Sequence, residues 1–250
     1  QLGVEQGVEG VEAYSLYDEA YDNHQRLIAD CGWNFAAVGS LSEWKEKYAR
    51  YVYGPEWEKG LRAMKDFEKV TALGSPFVGL VHQLDAYPYT YVRRDRAYPR
   101  SYPQEALAAL VASEEGRKKL AAAEEVAQGA RLGFAELSKS SIPRVDLAAQ
   151  MEAEAWRVEG LLRVFGHLLQ AKEAYEAAKE TGSSQGREKV TESREHIAQA
   201  LAVHYRVTLA CEQAKADYLV PSILRNWSTM LPFLRKTLAA LDRCLAGEPL

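Results

Sequence analysis

A mainly α fold, an antiparallel helical bundle preceded by a short strand-containing segment, is what three features of the sequence predict. From Gln104 onward the chain is rich in Ala, Leu, Glu and Lys. Within that region apolar residues return every three or four positions, the period that gathers them on one helix face. The breaks between the runs, Ser141-Ile142-Pro143, Gly182 to Gly186 and Val220-Pro221, are short, and short connections make long helices antiparallel neighbours.

The elements follow in order. Residues 1–22 combine Gly3, Gly7 and Gly10 with Val4, Val8 and Val11 and with Tyr14, Tyr17 and Tyr21. Val11 to Leu16 therefore reads as a short strand after a glycine-rich turn; a disordered terminus is the other reading of the same residues. A strand needs partners for its backbone, and the rest of the chain offers no convincing set, so an upstream polypeptide is expected to supply them. Residues 26–54 read as a helix, a short strand-like break ending in Trp33-Asn34, a loop and a second helix. In that second helix Leu41, Trp44, Tyr48, Tyr51 and Val52 share a face. Ser40 or Ser42 can cap its start, and Gly54-Pro55 ends it.

Pro55 opens another helix, Glu56 to about Leu73, with Trp57, Leu61, Met64, Phe67 and Val70 on one side. Residues 77–84 suit a buried strand or a helical turn equally. Residues 85–103 carry Pro88, Pro99 and Pro103 among tyrosines and arginines, the composition of an extended linker. Helices are then expected at 104–112, 114–140, 144–181, 187–219 and 221–246. Leu147, Met151, Ala155, Val158, Leu162, Phe165 and Leu169 mark the apolar face of the 144–181 helix. The organisation divides as 1–60, 61–103 and 104–250.

Length and charge bound the function. A chain of 250 residues with 47% hydrophobic content can build a packed core. Its 31 basic and 35 acidic residues are interspersed and leave a net charge of −4, so nothing steers it to nucleic acid or to an anionic membrane. Cys31, Cys211 and Cys244 have no metal-ligand spacing and read as buried thiols in a reducing compartment. No run approaches the ~20 apolar residues of a membrane span, and no basic-then-apolar signal segment opens the sequence. A cytoplasmic location is expected, or a secreted one if a signal has been removed.

The run RLIADCGWNFAAVGSLSEWKEKYARYVYG, residues 26–54, resembles the last barrel turn of N-acetyl-hexosaminidase-type glycoside hydrolases, chiefly family 84 (the O-GlcNAcase family) and more loosely family 20. In those families an Ala-Asp-x-x-Trp-Asn run closes a TIM barrel and a helix of this kind follows. The resemblance covers about a quarter of the chain. It implies that residues 1–60 are the end of the barrel and that the helices behind it support the barrel, contact aglycone or mediate a homodimer. It also implies hydrolysis of N-acetylglucosaminides, a carbohydrate substrate, with Trp33 forming an apolar wall under the sugar and Asn34 bonding a hydroxyl. Tyr14 and Asp18 would lie near the end of a late barrel strand, where barrel enzymes build their sites. The family's catalytic acids map upstream of Gln1, so no catalytic residue is assigned and this chain alone is expected to be inactive.

Other constellations carry less. Asp18-Glu19 could divide acid and base roles, but the resemblance places the acidic pair elsewhere, and a helix start or a hydroxyl contact suits these residues better. His24, His82, His167, His196 and His204 show no two-ligand helical spacing with carboxylates, and read as core histidines. No nucleophile elbow and no phosphate-cradling glycine loop occurs, so neither metal nor cofactor is assigned. The alternative to the glycosidase reading is a non-enzymatic all-helical scaffold or protein-interaction bundle whose first residues are an arm.

Overall fold

The structure, a computed structural model, describes residues 22–70, 113–181, 183–213 and 221–247. Its elements are α1 (Asp22–Val38), α2 (Leu41–Tyr53), a 3-10 turn (Gly54–Glu56), α3 (residues 57–70), α4 (Glu114–Leu137), α5 (Val145–Glu180), α6 (Ser183–Gln213) and α7 (Pro221–Leu245). Among the described residues there is no strand. The expected strand at Val11–Leu16, the segment 77–84, the 85–103 linker and the 104–112 helix lie outside them. So do Tyr14 and Asp18.

One expectation inside the described residues is corrected. The strand-like break ending in Trp33-Asn34 does not form; α1 runs through both residues to Val38. Gly32 is the only helix breaker in CGWNFAAV, and a single glycine costs about 1 kcal/mol against alanine. Alanines and a packed face outweigh it. The chain turns at Gly39, whose φ of 73° lies in the left-handed region that ends helices. Residues 22–60 thus hold helices and one 3-10 turn, with no barrel strand.

Of the candidate caps for α2, Ser40 acts. Its Oγ accepts from Glu43 N at 3.2 Å, and Glu43 Oε2 accepts from Ser40 N at 2.8 Å, a reciprocal capping box. Those bonds, from the Ser40 backbone first and its hydroxyl second, hold the Glu43 carboxyl below its usual range. At the other end Gly54, at φ 54°, lets the chain turn tightly against Pro143: a Cβ there would stand 2.9 Å from Pro143 Cδ. Arg144 N donates to Val52 O beside it, at 3.2 Å. Gly60 leaves room for the Tyr53 ring, which would lie 1.9 Å from an added Cβ. These approaches seat the α2–α3 pair on the α4–α5 turn. Trp44, Tyr48, Val52, Tyr53, Ala63 and Met64 share one core with Phe134, Leu137, Leu147 and Ala155.

The larger core lies along α4 to α7. Pairings across it fall in reverse order, which makes each neighbour antiparallel. Between α4 and α5, Arg117 meets Glu173, Glu124 meets Arg163 and Ser138 meets Glu152. Between α5 and α6, Ser193 Oγ donates to Ala171 O at 2.7 Å, while Gly160 faces Val207. Between α6 and α7, Arg194 meets Asp242 and Arg235 meets Tyr205. The helical bundle predicted from periodicity and short connections is therefore present.

α5 is its axis. Ala153, Val158, Leu161, Leu162, Val164, Phe165 and Leu168 are all buried, and they fill more than the single stripe of a surface helix. α6 begins at Ser183, earlier than the expected start at residue 187. Gly186 in its first turn suits this: a Cβ there would stand 3.0 Å from Ala178 O, tighter than an ordinary contact, so glycine eases the start of α6 close to the end of α5.

The core also contains a charge. Glu159 on α5 is fully buried. Arg131 Nε donates to its Oε2, and the Arg131 guanidinium lies 4.0 Å from the Trp156 ring centroid. Arg163 Nη2 stands 2.8 Å from Glu159 Oε1 but off the hydrogen-bonding direction, while Arg163 Nε donates to Glu124 Oε1 at 3.0 Å. Burying a carboxylate is tolerable when cations meet it, and losing the charge on one side leaves the other exposed to the full desolvation cost. Glu159→Gln is expected to lower unfolding stability by about 3 kcal/mol, the low end for a broken buried pair because Arg163 keeps Glu124. Urea denaturation measures it, and a loss no larger than that of Arg163→Gln, whose side chain is a third exposed, would show the clamp to be unimportant.

Candidate functional site

α1 and α2 enclose an aromatic cleft of about 480 Å³. Arg26, Asp30 and Trp33 line it from α1 at spacings of four and three, one helical stripe. Trp44, Lys47, Tyr48 and Tyr51 line it from α2 on the same principle. The floor is made of Trp44 and Tyr48, both buried and stacked with ring centroids 5.2 Å apart. Trp44 Nε1 donates to Asp30 Oδ2 at 2.8 Å, which ties the two helices together and satisfies an indole N–H that would otherwise be buried unpaired. On the rim, the Arg26 guanidinium lies 4.5 Å over the Tyr51 ring, and its Nη2 reaches Tyr51 Oη at 3.4 Å.

Trp33 is the exception to burial. It is 93% exposed, although it lines the cleft. Tyr51 is 55% exposed beside Lys47, which is also exposed. The cleft thus has an aromatic floor, exposed rings at its edge, cations from both helices and the Asp30 carboxylate, which is engaged by Trp44. Hydrolysis of a glycoside uses paired carboxyl groups; the cleft's described lining offers Asp30 alone. Aromatic faces with charged groups at their edge suit the binding of a ligand.

Of the sequence-predicted contacts, Trp33 is in the cleft. Asn34 follows it in α1, and its side chain lies outside the description. Arg26 and Lys47 were not singled out by the sequence, and Asp30 figured there only as the acid of the Ala-Asp-x-x-Trp-Asn run, although the Arg26, Asp30, Trp33 spacing carries the signal. Trp44, Tyr48, Tyr51 and Leu41 were read as one amphipathic face; the structure divides it, with Trp44 and Tyr48 inside and Leu41 and Tyr51 out.

A second cleft, about 440 Å³, opens along α5 and α6 beside α4, lined by Arg163, His167 and Gln170 on one side and Gln199 and Arg206 on the other, with Glu124 at its edge. His167 faces His196 across the helix pair, ring centroids 5.9 Å apart. The Nδ1 atoms of both are buried without a hydrogen-bond partner. Burial, then His196, then Arg163 push the His167 imidazole below its usual range, against a bond to Gln170 that raises it. Among the described residues no group of three or more His, Cys, Asp or Glu side chains could hold a metal ion, and no helix is long and apolar enough to cross a membrane.

Protein-family models, curated proteins and solved structures offer no match to this chain.

Two expected outcomes follow from these geometries. Trp33→Ala is expected to leave stability within about 0.5 kcal/mol, as for an exposed side chain, whereas Trp44→Ala costs about 3–5 kcal/mol; thermal and urea denaturation separate them, and equal losses would refute the division of the face. His167 favours its neutral form in the folded chain, so on acidification the unfolded chain takes up the proton first and stability falls as pH drops through 6.5, the ordinary value. Stability measured at pH 7.5 and 5.5 should decline in the parent and decline less in His167→Gln; equal slopes would remove His167 as the cause.

Proposed function

We propose that this chain is a non-catalytic helical binding module that takes a saccharide in the α1–α2 cleft, the role of a substrate wall and support for an N-acetylglucosaminide hydrolase. The observation that carries the reading is Trp33, 93% exposed at the rim of a cleft with an aromatic floor. An exposed indole leaves a large apolar ring in water, and the C–H face of a pyranose is the kind of surface that covers it while polar groups at the edge take the hydroxyls. Arg26 is such a group. The sequence resemblance of residues 26–54 agrees with this use of Trp33. A cytoplasmic location belongs to the same reading, supported by free thiols at Cys31, Cys211 and Cys244.

A second reading, a protein-interaction bundle, is favoured by Tyr205 and Leu209, large apolar side chains exposed one turn apart on α6 at 43% and 53%. Titration of tryptophan fluorescence with N-acetylglucosamine oligomers decides between them. A saturable change in the parent that disappears in Trp33→Ala is expected for the saccharide site. No change in the parent, or a change that Trp33→Ala leaves intact, would reject it and leave the interaction bundle.

A further inference from the structure

We propose that Asp30 sets the specificity of the α1–α2 cleft: its carboxylate accepts a hydroxyl from a neutral sugar whose ring rests on Trp33, so the stacked unit must carry an O–H donor beside its apolar face. This rests on the saccharide reading of the same cleft. Asp30 and Trp33 are three residues apart on α1, so their side chains are neighbours on one helix face. Both line the cleft. Trp33 is 93% exposed and makes no ring contact or hydrogen bond among the described residues, so its indole face is open. A pyranose laid on that face brings the hydroxyls at its rim beside Asp30.

The Asp30 carboxylate is fixed in place and has acceptor capacity to spare. Its Oδ2 accepts from Trp44 Nε1 at 2.8 Å, and Trp44 is buried in the cleft floor. That bond anchors the acid before a ligand arrives, which reduces the ordering cost of binding. An ionised carboxylate offers about four acceptor sites on its two oxygens, and the indole uses one. Among the described residues Asp30 makes no other hydrogen bond and no ion pair. The cation four residues before it on the same stripe, Arg26, lies over the Tyr51 ring instead. The remaining acceptor sites suit donors, and a sugar hydroxyl is a donor; a charged acceptor makes a bond roughly twice as strong as a neutral one. Stacking on Trp33 alone takes any ring with an apolar face. Asp30 adds the discrimination, because a site that bonds a hydroxyl disfavours the analogue lacking it.

Calorimetric titration of the full chain compares an N-acetylglucosamine tetramer with the same tetramer O-methylated at its hydroxyls, which keeps the ring faces and the oxygen acceptors and removes the O–H donors. The parent should bind the free tetramer about five- to tenfold more tightly, the size of one exposed charge-assisted hydrogen bond. Asp30→Asn still accepts the Trp44 N–H through its carbonyl oxygen but turns an NH2 donor to the sugar, so the ratio should fall to about twofold. The added methyl groups act on parent and variant alike, so the change in ratio isolates Asp30. A merely structural Asp30 would weaken both probes equally. Equal binding of the two probes by the parent, or a ratio that Asp30→Asn leaves unchanged, overturns the role of Asp30 and leaves saccharide binding in place. Binding of neither probe by the parent overturns both. Because Asp30 is exposed and the variant keeps the indole bond, Asp30→Asn folds like the parent, and its melting curve checks this.

Discussion

The close approach of α5 to α6 is the constraint on which the rest of the structure depends. Gly160 has Val207 Cγ2 in the space its own Cβ would take, at 2.3 Å from the ideal position. Gly186 repeats the device at the hairpin end. With backbones this near, Val158, Leu161, Leu162 and Phe165 reach neighbours on several sides, and α5 becomes a core element instead of a surface helix. Close packing at interior density is what makes such contacts add up. The cost is that α5 must also bury Glu159, and Arg131 and Arg163 answer it from α4 and from the next turn.

The N-terminal pair α2–α3 depends on that core in turn. Tyr53, Val52 and Met64 bury themselves against Phe134, Leu137 and Leu147, and Gly54 lets the chain meet Pro143. This leaves α2 with its Trp44–Tyr48 edge turned towards α1, and the bond from Trp44 to Asp30 closes the cleft floor. The cleft is therefore a consequence of packing further down the bundle: the edge of α2 that faces α1 is the one that lines it. Trp33 stands outside this economy of burial, which is why it carries the functional argument.

Much of the fold was legible. The helices of α4, α5 and α7 appear within a few residues of where their apolar periods put them, because a long repeat at helical spacing has few competing structures. Gly54-Pro55 marks the end of α2, and Ser40 with Glu43 three residues on is a readable capping box. The break at Trp33-Asn34 was misread because a short apolar run does not distinguish strand from helix, and Gly32 weighs too little to stop a helix that packs. Arg26 and Lys47 were passed over because charged side chains on an amphipathic helix are ordinarily solvated; only the second helix opposite makes them a rim.

By itself the sequence determined the helical class, the antiparallel order of the long helices and the aromatic character of residues 33–51, since period, connection length and residue type are local properties. Which aromatic rings are floor and which are offered to solvent was decided by tertiary structure alone. Tyr48 and Tyr51 are the same residue three positions apart on one helix, yet one is 7% and the other 55% exposed. A helix period states that they lie on neighbouring parts of a surface, and only the bodies packed against that surface decide which part water reaches.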